Sequence, residues 1–174
     1  MIKKSLKHTY GFTLVELMVA ISIIGILSSI VYANFGEARK AARDDIRKTS
    51  LKELQLAIEF YKAQNDRYPA AGCTANATNW AGPGSGTQSP GYTACDNYIA
   101  GLVPDYIPAL PRDPNNEATA NAGFMYRTNL AGTDYKLMIK DSVEVKFTTS
   151  GDEYANGASD SNTYAVYSAD GETW

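Results

Sequence analysis

The run Gly11-Phe12-Thr13-Leu14-Val15-Glu16 places one carboxylate just inside an apolar stretch that continues to Phe35. A charge held in hydrocarbon costs on the order of 2.5 to 3.5 kcal/mol at a helix centre, so a carboxylate kept there is a functional residue by default. Its chemistry is electrostatic: it can pair with a cation, and in a dry bundle leaving it unpaired is costly. Snorkelling to headgroups is the bland alternative. Other reactive side chains are few. The one histidine, His8, precedes the apolar run, so the rest of the chain has no base for Ser-His or Cys-His catalysis and no imidazole ligand. Cys73 and Cys95 are too few for a zinc site. An even cysteine pair in an exported domain is most simply a disulfide, which here closes a loop of about 20 residues and stabilises by roughly 3 kcal/mol in the chain-entropy picture. No carboxylate pair is marked for glycoside hydrolysis, and there is no phosphate-binding glycine loop. The chain reads as a non-enzyme.

The elements that must position Glu16 follow from pattern. From Phe12 to Phe35 there are about 24 residues, roughly 36 Å as a helix, enough to cross a ~30 Å hydrocarbon core. That is too long for a cleaved secretory signal. Lys3, Lys4 and Lys7 precede the span, but Arg39, Lys40, Arg43, Arg47 and Lys48 follow it, so the positive-inside rule gives no direction. Gly25, Ser29 and Ala33 recur every four residues and form a small-residue stripe on which another helix can approach closely. Beyond Glu37 the helix turns amphipathic, with Leu51, Leu54, Ile58 and Tyr61 at spacings of three and four. Asp44 and Lys48 form a favourable i, i+4 pair, which predicts a solvated face. Tyr68-Pro69 ends the helix.

The remainder suits one small core. The segment from Ala70 to Ala94, rich in Gly, Ala, Thr, Ser and Asn, reads as loop. Four prolines between Tyr98 and Pro114 make that segment an extended connector. Gly123 to Thr128, Tyr135 to Lys140, Val143 to Thr148 and Thr163 to Ser168 read as strands. Tyr135, Leu137 and Ile139 point to a buried face, and Lys136, Met138 and Lys140 to a wetter one. The fold class is α+β: a long N-terminal helix, membrane-spanning in its first half, packed on a small antiparallel β-sheet.

Gly11 followed by Phe-Thr-Leu-Val-Glu and an apolar helix resembles the class III signal of type IV prepilins and type II secretion pseudopilins. The connector closing on Asp113-Pro114 and the strand Tyr164 to Ser168 with its loop Ala169-Asp170-Gly171 resemble the same family, most of all a major pseudopilin. The resemblance implies a leader over residues 1–11, a filament-core helix over 12–35 and a pilin domain over 36–174. It implies cleavage between Gly11 and Phe12 by a membrane-embedded prepilin peptidase, N-methylation of Phe12 to methylphenylalanine, and retention of the helix. A new amine at Phe12 lies about 6 Å from Glu16 along a helix axis, and the family's arrangement has Glu16 neutralise a neighbouring subunit's amine during assembly.

The implied protein is a single-pass precursor in the inner membrane with a cytoplasmic N-terminus, then a periplasmic or surface filament. Its partners are further copies of itself, the peptidase, the membrane and a secretion or pilus assembly machinery. A monomeric membrane-tethered binding module using the tyrosine-rich loops is the competing class. No cofactor is expected from the residues. The resemblance adds calcium as a candidate ligand in a C-terminal loop, with Asp152, Asp160 and Asp170 as candidate donors, against the plain alternative of solvated turns. The formal charge of −3 becomes more negative without the leader lysines, so no specific nucleic acid is predicted.

Overall fold

The computed structural model describes residues 11–73, 79–83, 91–115, 122–145, 154 and 162–173. Two compact units divide the chain, residues 1–39 and residues 40–174. Helix α1 spans Leu14–Asn65. It begins two residues after the expected Phe12, because Thr13 serves as its cap. At the other end Asp66 adopts the left-handed conformation with φ 56° and donates its N–H to the Lys62 carbonyl at 2.9 Å. Pro69 follows and cannot resume the helix.

In the first unit the most apolar window of α1 is wholly unburied within the chain, and it is long and apolar enough to cross a membrane. A helix apolar on every side needs lipid or other helices around it. The second unit has a core of its own. Leu51, Leu54 and Ile58 lie on one face of α1 at the predicted helical spacing and are fully buried with Tyr98, Ile99, Leu102, Tyr126, Leu137 and Ile139.

The strands are β1 (Trp80–Gly82), β2 (Tyr92–Ala94), β3 (Gly123–Thr128), β4 (Tyr135–Lys140) and β5 (Tyr164–Tyr167), followed by a 3-10 turn at Gly171–Thr173. They form one sheet in the order β2-β1-β3-β4-β5. β3 and β4 make the expected antiparallel hairpin, with Gly123 opposite Lys140 and Thr128 opposite Tyr135. β5 pairs antiparallel to β4, with Leu137 opposite Val166. The far edge differs from a purely antiparallel sheet: β1 and β2 pair parallel, and β1 joins β3 at Ala81 opposite Tyr126. The sheet is therefore mixed. Gly82 is required at this edge, since a Cβ there would collide with the Phe124 carbonyl.

Two finer expectations are corrected. Lys136 is not on a wet face: it is buried, with Nζ donating to the Glu172 carbonyl at 3.1 Å. Residues 143–145 are not a strand: Val143 N–H donates to the Asn162 carbonyl at 3.1 Å, the N–H groups of Glu144 and Val145 go to the Asp44 side chain of α1, and the rest of that predicted strand lies outside the described residues.

Candidate functional site

At the start of α1, Thr13 and Glu16 form a reciprocal pair. The Thr13 backbone N–H and hydroxyl both donate to Glu16 Oε2, at 2.9 and 2.8 Å, and the Glu16 N–H donates to Thr13 Oγ1 at 3.3 Å. The Thr13 carbonyl accepts the first helical bond, from Leu17 N–H at 3.2 Å. This is a capping box, in which each side chain satisfies a backbone donor that the helix leaves orphaned. It also answers part of the dehydration problem, because Oε2 is bonded twice. Oε1 has no partner among the described residues. Reading Glu16 as a lone carboxylate misses Thr13, although Thr-x-x-Glu ahead of an apolar run is the sequence signature of such a box. Gly11 precedes the helix as exposed, non-helical chain, and Phe12 is 89% exposed.

Further along, a Cβ on Gly25 would meet nothing within 4 Å. The Ser29 hydroxyl donates to the Ile26 carbonyl at 2.7 Å, so its polar atom is satisfied within the helix and the position presents a small surface. Ala33 lies on the same helix, its side chain outside the described residues.

In the second unit Cys73 and Cys95 are bonded, with Cα atoms 6.0 Å apart. The bridge closes the segment holding β1 and β2, whose edge is further tied by Cys95 N–H to the Gly82 carbonyl at 2.7 Å. Of the candidate calcium donors, Asp152 and Asp160 lie outside the described residues, and Asp170 sits exposed in the loop after β5. Among the described residues no three His, Cys, Asp or Glu side chains cluster as a metal site.

A buried ionic cluster lies where a wet face was predicted. Arg47 is 1% exposed and Asp44 3%. Arg47 grips Asp113 through two bonds, Nε to Oδ2 at 2.8 Å and Nη2 to Oδ1 at 2.7 Å. Its Nη1 donates to Asp44 Oδ1 at 2.6 Å and to Glu144 Oε1 at 3.1 Å. Arg43 forks onto the same Glu144, Nε to Oε1 at 2.6 Å and Nη2 to Oε2. The Asp44 carboxylate accepts the backbone N–H of Val145 at 2.7 Å and of Glu144 at 3.1 Å.

Burial opposes the Arg47 charge, but the bonds to Asp113 and Asp44 outweigh it and hold its pKa above the ordinary value. Hydrogen bonds from Arg43, then Arg47, pull Glu144 down to about 2. The cluster ties α1 to the end of the proline connector and to residues 143–145. Lys48, the residue expected to pair with Asp44, sits over the Tyr164 ring at 4.9 Å instead.

The prokaryotic N-terminal methylation motif matches residues 6–32, which include the capping box. The chain is 31% identical over 138 residues to the type II secretion system core protein G of Escherichia coli (strain K12), covering 76% of this chain and 88% of that protein. It is 35% identical over 112 residues to the protein of the same name from Vibrio cholerae, covering 64% of this chain and 68% of that one. With the type IV major pilin of Myxococcus xanthus it shares 41% identity over 58 residues, 33% of this chain and only 26% of that pilin. No solved structure matches.

Proposed function

Because the chain belongs to the family of the type II secretion system core protein G, we propose that it is a structural filament subunit: a precursor trimmed between Gly11 and Phe12, methylated at Phe12, and polymerised through its N-terminal helix into a pseudopilus or a closely similar type IV pilus. The precursor sits in the inner membrane with its leader on the cytoplasmic side, and the polymer extends on the other side. The prepilin peptidase and the assembly machinery are the partners this route requires, together with further copies of the chain.

The observation that carries the reading is an apolar helix that the described residues leave uncovered, opening on a carboxylate with only one oxygen bonded among them. Lipid covers the helix in the precursor, and neighbouring helices cover it in the polymer. Glu16 Oε2 stays on Thr13 and holds the helix start in shape. Oε1 is then aimed by that anchor and accepts the Phe12 amine of a neighbouring subunit, a cation that exists only after cleavage. Gly25, Ser29 and Ala33 give the close approach along the stripe. Processing thus switches assembly on.

Glu16→Val is expected to leave cleavage and membrane insertion intact while lowering filament yield at least tenfold. Mass analysis of the mature N-terminus, combined with sedimentation of sheared filaments, reads both. An intact Met1 on the membrane-inserted protein, or normal filaments from Glu16→Val, overturns the proposal.

A further inference from the structure

The second unit carries an apolar groove that its own chain leaves open. Leu56 and Phe60, on the side of α1 turned away from the core, are 65% and 60% exposed. With Ile107, Pro108 and Pro111 of the connector they line a groove of about 630 Å³, and Glu53 stands on its wall. The groove is preformed: Phe60 packs edge-on against Tyr106 at 6.0 Å, and the connector is not extended as expected but turns at residues 103–106, where Tyr106 N–H donates to the Leu102 carbonyl at 2.9 Å. The same unit carries an apolar knob. Leu130, in the turn between β3 and β4, is 81% exposed, so it is not seated in any groove of its own chain.

That turn is rigid. The Asn129 side chain accepts Thr133 N–H at 2.9 Å, and the Gly132 carbonyl accepts Tyr68 N–H at 2.7 Å. Gly132 has φ +69° and lies against Arg67, whose Cβ would be 3.1 Å from an added Cβ. Knob and groove are flanked by opposite charges, Arg67 and Glu53, and neither forms an ion pair or hydrogen bond among the described residues.

We propose that these two surfaces join successive copies of the chain: Leu130 of one copy enters the groove of the next, and Arg67 of the first meets Glu53 of the second. The shape and the charges both favour a second copy as the occupant. Two different surfaces meet, so the contact is heterologous: the first copy of a joined pair keeps a free groove and the second a free knob, as an open helical polymer needs. The exposed leucine and the exposed phenylalanine cover one another's apolar surface, and the ion pair at the rim fixes register more than it adds affinity. The inference rests on the filament reading and adds to it a contact outside the N-terminal helix.

The test is a charge swap in the full chain, with filaments measured by sedimentation and each purified protein's melting temperature recorded. Glu53→Arg and Arg67→Glu are each expected to cut filament yield at least fivefold with no change in melting temperature. The double variant is expected to return yield to within twofold of wild type, and Leu130→Cys mixed with Phe60→Cys is expected to give a cross-linked dimer of the two variants. Full yield from both single variants, or a folded double variant that stays as poor as the singles, overturns the contact. Wild-type chain that forms no filament under any condition overturns the filament reading, and the contact with it.

Discussion

Glu16 and Arg47 are charged groups on one helix, and they are satisfied to different degrees. Around Arg47 every charge meets a partner within the chain: two bonds to Asp113, one each to Asp44 and Glu144, and backbone N–H groups on the Asp44 carboxylate. Around Glu16 one oxygen is bonded twice, by a residue three positions away, and the other has no partner among the described residues. The first arrangement is finished and serves the fold of residues 40–174. In the assembly proposed above, the second is finished only when another copy supplies a cation. A charge whose partners come from distant parts of the same chain does structural work, whereas a charge anchored only by its near neighbour is left with capacity to bind.

The sharpest way to break the comparison is at Arg47. Arg47→Leu removes a buried cation and strands Asp44 and Asp113 with their charges uncompensated, which is expected to cost about 3–5 kcal/mol. Thermal or denaturant unfolding of the second unit would read this as a large loss of stability, with membrane insertion of the first unit unchanged. A change under about 1 kcal/mol would mean that the cluster is not the structural half of the contrast.

pH separates the same cluster by sign. Glu144 has an ordinary value of 4.5 and is held at about 2 in the folded chain. A depressed folded value means that its contribution is fully present above the unfolded value and is lost as the carboxylate is protonated. The contribution of Glu144 to the stability of the second unit is therefore expected to be flat above pH about 5 and to fall between about 4.5 and 2. Arg43→Met, which removes the first fork on Glu144, is expected to make that fall shallower. An acid limb of equal steepness in wild type and Arg43→Met would remove Glu144 as its cause.

Much of this architecture was legible, and the exceptions have physical reasons. Leu51, Leu54 and Ile58 repeat at helical spacing, and Tyr135, Leu137 and Ile139 alternate, so α1 and the hairpin follow from period alone. β1 and β2 are three residues each in a Gly- and Asn-rich stretch, too short for alternation to register, and their parallel pairing is tied to a disulfide that sequence cannot orient. The local rule for an exposed pair, with Lys48 four residues on, places Asp44 on a wet face. Its actual partners are Arg47 and the backbone of residues about 100 positions away, which no local rule can see. Thr13 is the opposite case: the capping box lies within four residues and is legible once Glu16 is read as a hydrogen-bond acceptor as well as a charge.

The smallest effect is also the most local. Thr13→Val keeps the shape of the side chain while removing both the hydroxyl that donates to Glu16 Oε2 and the oxygen that accepts Glu16 N–H. Only the backbone bond from residue 13 to Glu16 would survive. Loss of an N-cap of this kind costs about 1 kcal/mol, felt in the first turn alone. In lipid bilayers, amide exchange at Glu16 and Leu17, whose N–H groups both donate to Thr13, is expected to speed up roughly fivefold, since about 1 kcal/mol is a factor of five in a local opening equilibrium, and the melting of the second unit should not move. Thr13→Ser restores the hydroxyl and should restore protection. Equal exchange in all three chains would show that Glu16 is not anchored by Thr13, and its open oxygen would then have no fixed direction in which to offer a bond.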